Sequence, residues 1–259
     1  MGTRASEKEG TEERLAPAPV LNANVPQPLS KIVHGKIRHF VIAPNAAAQE
    51  PELAALVAQA ISICSESDYY LGRALIDMLG PRAAPAFAIY EALAWGYSKK
   101  QALRAAAAIS LDDQDCKLFD AILKLYGQDE SQRNKFSHWL WCYSNQASGY
   151  IILLDPLQTL RWEVVPHISP GVARTIVPGP VAQLGESSCY SKAELEQIVE
   201  RFTNTICLIE TFRNLVGVPG VPKDQMRDYL MTQPRMIEAL RHPGKPIQTP
   251  PSTHHEPPG

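Results

Sequence analysis

Apolar residues recur at three- and four-residue intervals from Leu53 through Val57, Ala60, Cys64, Leu71 and Leu75 to Leu79. That spacing stacks them along one face of a helix. Pro51 stands where a helix can begin, because its missing N–H is not needed in the first turn, and Gly80-Pro81 supplies the stop. The pattern predicts one long amphipathic helix over 51–79. Asp68 breaks its stripe at a place where a hydrophobic residue belongs.

A second helix is expected from about Pro85 to Trp95, ending at Gly96, and an alanine-rich third from Ser98 to Ile109. Ser110-Leu111-Asp112-Asp113 then reads as a capping box, a serine N-cap with an acid three residues on. The helix it opens carries Leu118, Phe119, Ile122, Leu123 and Tyr126. The pattern resumes past Gly127 through Phe136, Leu140 and Tyr143, which predicts one long helix, with room for a kink, from about 112 to 146.

At Gly149 the period changes. Tyr150–Leu154 and Leu160–Val165 are two β-rich runs around a short turn, the pattern of a hairpin over about 150–165. Residues 166–190 read as Pro/Gly-rich loop. Ser191-Lys192-Ala193-Glu194 is a second capping box, followed by Leu195, Ile198, Val199, Phe202, Ile206, Ile209, Phe212 and Val216 up to Gly217. Shorter helices are expected over 223–241. The fold class is therefore mainly α: an antiparallel helical bundle with a small β-hairpin before the last long helix.

Composition sets the boundaries. Many of the 22 prolines crowd the two ends of the 259 residues. Residues 1–28 and the Pro-rich tail 243–259 hold too little apolar surface to offset the entropy of ordering, so both are expected to be disordered. Residues 29–50 form an irregular lead-in, 51–217 the helical domain, and 218–242 the short C-terminal helices. No apolar run reaches the roughly 18 residues of a membrane span, and the polar, acidic N-terminus is unlike a secretory signal. Five scattered cysteines without a Cys-x-x-Cys pair suit reduced thiols in a cytoplasmic protein. Net charge is −2 and the pI about 6.4. Between Lys99 and His138 seven Lys/Arg face six Asp/Glu. Such near-neutrality argues against an extended nucleic-acid groove on one protomer, although a small catalytic pocket needs only one or two cations.

The candidate chemistry lies in Arg133-Asn134-Lys135-Phe136-Ser137-His138, followed at once by Trp139 and Trp141. Arginine followed by histidine at comparable spacing also occurs at Arg161–His167 and Arg235–His242, so the loose pattern discriminates little. Requiring Asn directly after Arg lowers the chance expectation to roughly 0.01 per chain, and Arg133 alone satisfies it. Asn134 and His138 are four apart and share a helix face, whereas Arg133 and His138 lie about 140° apart around an ideal helix.

This Arg-Asn-x-x-x-His segment, with Ser67-Asp68-Tyr69-Tyr70-Leu71-Gly72-Arg73-Ala74-Leu75, the short helix bearing Tyr90 and the apolar helix around Phe119, resembles a group of bacterial proteins of the HEPN superfamily. The resemblance covers about 51–145 and extends more weakly to 217. Ser137 departs from the alanine common before the histidine, and Trp139-Leu140-Trp141 is bulkier than usual. The family's fold is a small helical bundle, and its active members are metal-independent ribonucleases whose two protomers bring both motifs to one cleft. The resemblance thus implies a homodimer, an RNA substrate, no metal or cofactor, and for toxin members an antitoxin-like protein partner. In that chemistry His138 is the acid/base, since imidazole titrates near neutrality. Arg133 grips the scissile phosphate. Asn134 orients either group, and Asp68 pairs with Arg133 or His138.

The competing reading is a non-catalytic HEPN-like module that binds a protein or nucleotide partner through the same cleft, its Arg, Asp and His serving as a structural lock. Trp139 and Trp141 suit core or dimer-interface anchors better than base-stacking platforms. His34, His39 and His167 stand isolated. Gly179-Pro180 and Gly217-Val218-Pro219-Gly220 read as turns, because no strand–glycine–helix context surrounds them.

Overall fold

The computed structural model describes residues 27–28, 40–42, 45–93, 96–144, 147–156, 174–176 and 188–241. The described chain is mainly helical with a small antiparallel sheet. In order it runs β1 (Gln27–Pro28), β2 (Phe40–Ile42), α1 (Ala46–Gln49), α2 (Pro51–Leu79), a 3-10 turn (Gly80–Arg82), α3 (Ala83–Ala92), α4 (Gly96–Ser110) and α5 (Asp113–His138). There follow β3 (Leu140–Tyr143), β4 (Tyr150–Leu154), β5 (Arg174–Ile176), β6 (Ser188–Ser191), α6 (Lys192–Gly217), α7 (Lys223–Thr232) and α8 (Pro234–Arg241).

Helix α2 starts at Pro51 and stops at Gly80, whose φ of 52° is a conformation that glycine adopts without the Cβ clash. Its buried face holds Leu53, Val57, Ala60, Cys64, Leu71, Leu75 and Met78, the stripe read from the spacing. This face makes its most extensive contact with α6. The Ser191 capping box forms in full: the serine hydroxyl accepts from the Glu194 N–H while the Glu194 carboxylate accepts from the Ser191 N–H at 2.7 Å. Phe119 of α5 stacks on Phe212 of α6, centroids 4.8 Å apart, joining the two helices across the core.

Several sequence expectations need correction. Ser110 is the last residue of α4, not a cap. Asp112 caps α5 instead, its carboxylate accepting from the Asp115 N–H at 2.8 Å, with Asp113 and Asp115 favourably placed against the helix dipole. Gly96 opens α4 where it was expected to end the preceding helix, and α3 stops at Ala92; Trp95 lies outside the described residues. Helix α5 runs through Gly127 and stops at His138, eight residues short of 146, because Trp139 turns to extended backbone and Leu140–Tyr143 become β3.

The sheet has the order β1-β6-β4-β3-β2-β5, with every pairing antiparallel. The hairpin is β3–β4, with Trp141 opposite Leu153 and Cys142 opposite Ile152. Strand β4 thus pairs backward; its expected partner, 160–165, lies outside the described residues. Residues 174–176 and 188–190, read as loop, are strands, the latter running on into the cap residue Ser191, as are 40–42 in the irregular lead-in and 27–28 in the segment expected to be disordered. Otherwise those terminal expectations fall outside the described residues. Ile151, Leu153 and Tyr190 project from the sheet into the helical core, where Tyr190 meets Phe136 edge-on at 5.3 Å. No described helix is long and apolar enough to cross a membrane.

Candidate functional site

The last two turns of α5 divide the motif between two surroundings. Gln132 and Phe136 are buried: the Gln132 amide donates to the Tyr190 hydroxyl at 2.8 Å, and the Phe136 ring packs on Tyr190. These anchors set the rotation of the helix end. Arg133 is half-buried on the side facing α2 and α4, whereas Asn134 and His138, one turn apart, are both exposed. Trp139 and Trp141 do not cover His138. Both pack partly buried against the core, Trp141 Nε1 donating to the Phe136 carbonyl at 3.0 Å and Trp139 lying under Lys135 Nζ at 5.0 Å.

Arg133 lines a polar cavity of about 140 Å³ between α2, the end of α3, α4 and α5. Asp68 also lines it; the residue as a whole is exposed, and its carboxylate accepts the Tyr126 hydroxyl. Burial raises the Asp68 pKa above the ordinary carboxylate value, against the opposing pull of the Tyr126 hydrogen bond and the Arg133 charge. The Cys64 thiol, one turn before Asp68, sits in hydrogen-bonding reach of Arg133, and burial pushes it up to about 11. For Arg133 burial works to lower the pKa, but the Cys64 and Asp68 interactions prevail and raise it. Its Nε is buried without a hydrogen-bond partner.

Two lysines from α4 complete the cavity. Lys100 Nζ is bound by Glu130 of α5 at 2.6 Å and lies 5.9 Å from the Tyr126 ring centre. Lys99 Nζ lies 5.3 Å from the centre of the Tyr90 ring. Tyr90 lines the cavity beside Gly72 of α2, where a Cβ would make only ordinary contacts, 3.4 Å from Phe87 and 3.7 Å from the Tyr90 ring. At Gly96 a Cβ would meet Glu130 Oε1 at 2.2 Å, so the glycine leaves the carboxylate its place.

Of the four residues singled out in the sequence, the structure brings Asp68 and Arg133 together and leaves Asn134 and His138 on the outer surface. Sequence reasoning passed over Tyr126 and Glu130, although their spacing of seven and three before Arg133 puts all three on one helix face. It passed over Lys99 and Lys100 for want of any signal, because lysine in an alanine-rich helix ordinarily marks a solvated side. Among the described residues no group of three His, Cys, Asp or Glu is arranged to hold a metal ion. Comparison with protein-family models, curated proteins and solved structures finds no match to this chain.

Proposed function

We propose that this chain is a HEPN-like helical module that binds the phosphate backbone of RNA at the C-terminal end of α5, and that a single protomer binds without cleaving. The observation that carries this reading is the division of the motif. Transesterification by a guanidinium and an imidazole requires both on one phosphodiester in hydrogen-bond reach. Here Arg133 faces the cavity beside Cys64 and Asp68, while Asn134 and His138 face solvent. The family resemblance is supported by the long helix α2, which carries Asp68 toward the motif helix, and by a mainly helical chain around both.

A second reading, a metal-independent endoribonuclease, has one observation in its favour: the His138 imidazole is open to water and substrate. A homodimer that set the partner copy's imidazole against the Arg133 side of the cleft would restore the pair, with His138 as acid/base and Arg133 on the scissile phosphate. An antitoxin-like protein would then act by covering the same face.

One experiment separates the two. Purified protein is incubated with single-stranded RNA in EDTA, with binding read by fluorescence anisotropy and cleavage by gel, for the parent chain, Arg133→Ala and His138→Ala. Binding weakened by Arg133→Ala without cleavage supports the first reading. Cleavage in EDTA that His138→Ala abolishes replaces it with the second. Neither binding nor cleavage by a folded, monodisperse protein overturns both.

A further inference from the structure

The cavity beside Arg133 holds more charge than either reading of the motif uses. Three cations, Lys99, Lys100 and Arg133, line it against two acids, Asp68 and Glu130. Glu130 is occupied by Lys100 and Asp68 by the Tyr126 hydroxyl. Neither Lys99 nor Arg133 closes an ion pair among the described residues. Arg133 Nε, buried and without an acceptor, is a donor already removed from water. Leaving such a group unsatisfied is costly, and the guanidinium charge that lines the cavity would attract an anion entering it.

Size narrows the occupant. A cavity of about 140 Å³ exceeds what a lone water needs, about 10–15 Å³, by roughly tenfold. It remains below the roughly 300–1,000 Å³ of sites for drug-sized ligands. A solute well below drug size that carries one anionic group fits. The walls match this division: cations stand on one side, and on the other the Glu130 carboxylate and the Tyr90 ring can accept hydroxyls and cover an apolar face.

The geometry points to a binding site for a small phosphate monoester, its phosphate held by Arg133 and Lys99 with Lys100 beside them, and its hydroxyls turned toward Glu130. The site goes beyond the reading of the motif: it draws on α4, which carries none of the Arg-Asn-x-x-x-His residues, and it stands whether or not the chain touches RNA. Filling it would also hold the Arg133 guanidinium inside the cavity, away from the outer face of α5.

The test is calorimetric titration of the full chain with ribose 5-phosphate, and with ribose as the neutral control. The parent protein is expected to bind the phosphate ester and not ribose. Lys99→Ala and Arg133→Gln should each weaken binding by about tenfold or more, the weight of a charge-assisted hydrogen bond. Lys117→Ala, an exposed cation on α5 outside the cavity, should leave it unchanged. Circular dichroism and melting temperature check that each variant folds. Absence of binding to the parent chain overturns the site, as does equal weakening by Lys99→Ala and Lys117→Ala. RNA binding without ribose 5-phosphate binding overturns this inference alone. Ribose 5-phosphate binding without any RNA interaction supports it and overturns the reading above.

Discussion

Asp129 is the group on which three helices meet, and removing it should reveal how the motif helix is held in rotation. Its side chain is 3% exposed on α5. Oδ2 accepts the Thr205 hydroxyl of α6 at 2.5 Å, Oδ1 accepts Arg201 Nε at 3.0 Å, and Arg235 Nη2 of α8 approaches Oδ1 at 3.5 Å. Arg235 Nη1 also donates to the Arg201 carbonyl at 2.6 Å. Burial nevertheless raises the Asp129 pKa, so attraction to both arginines does not fully offset desolvation. Asp129→Ala would leave two guanidinium groups facing each other, and breaking a buried pair of this kind costs about 3–5 kcal/mol. The arginine side chains are 30% and 21% exposed, which places the expected loss near the lower end, about 3 kcal/mol. Asp129→Asn keeps the volume and an acceptor for Thr205, and should cost about 1–3 kcal/mol. Asp129→Leu combined with Arg201→Met and Arg235→Met should recover most of the loss, because the unpaired charges leave together. Urea unfolding followed by circular dichroism gives each value from the midpoint and slope. A loss below about 1 kcal/mol for Asp129→Ala, or a triple variant no better than the single, would mean that Asp129 does not hold the two arginines in place.

Gly217→Ala should destabilise by about 1–3 kcal/mol, since its Cβ would stand 2.9 Å from Asp77 Cβ where α6 meets α2; an unchanged melting temperature contradicts this. Asn134→Ala and His138→Ala, both at exposed positions, should each shift stability by less than about 0.5 kcal/mol. A larger loss in urea unfolding would make either residue structural. In native protein at neutral pH iodoacetamide should label exposed Cys207 first and reach buried Cys64, Cys142 and Cys189 only after unfolding, as peptide mass spectrometry can record. Burial lifts the Cys64 thiol from 9.0 to about 11 and the Cys142 thiol to about 12. Between pH 9.0 and about 11 the folded state therefore keeps protons that the unfolded chain releases, and stability falls as pH rises. The loss approaches about 1.4 kcal/mol per pH unit for each thiol, and a urea midpoint that climbs across this window would exclude it.

Local chemistry made two of the three long core helices, α2 and α6, legible. Pro51 and Gly80 bound α2, the Ser191–Glu194 box starts α6, and the apolar spacing identifies their inner faces. Each signal acts between residues a turn or two apart, so it operates before any tertiary contact forms. The same reasoning misread the start of α5, where two residues that can cap stand close together. Ser110 could serve only if α4 ended sooner; the Leu111 N–H still bonds the Ala107 carbonyl at 2.9 Å, which hands the role to Asp112.

The candidate site was half legible. Asp68 stood out because a carboxylate interrupts an apolar stripe, and the motif stood out by residue type. Which groups face one another was decided elsewhere. Leu140–Tyr143 carry a pattern that a helix could continue, but pairing with Tyr150–Leu154 and contact with the core turn them into a strand and end α5 at His138. Phe136 and Gln132, held by Tyr190 from a strand more than fifty residues away, then fix the helix so that Arg133 turns inward and His138 outward. Periodicity specifies that a helix has faces. What each face meets depends on partners brought near only by closing long loops, whose free energy no local run of residues contains.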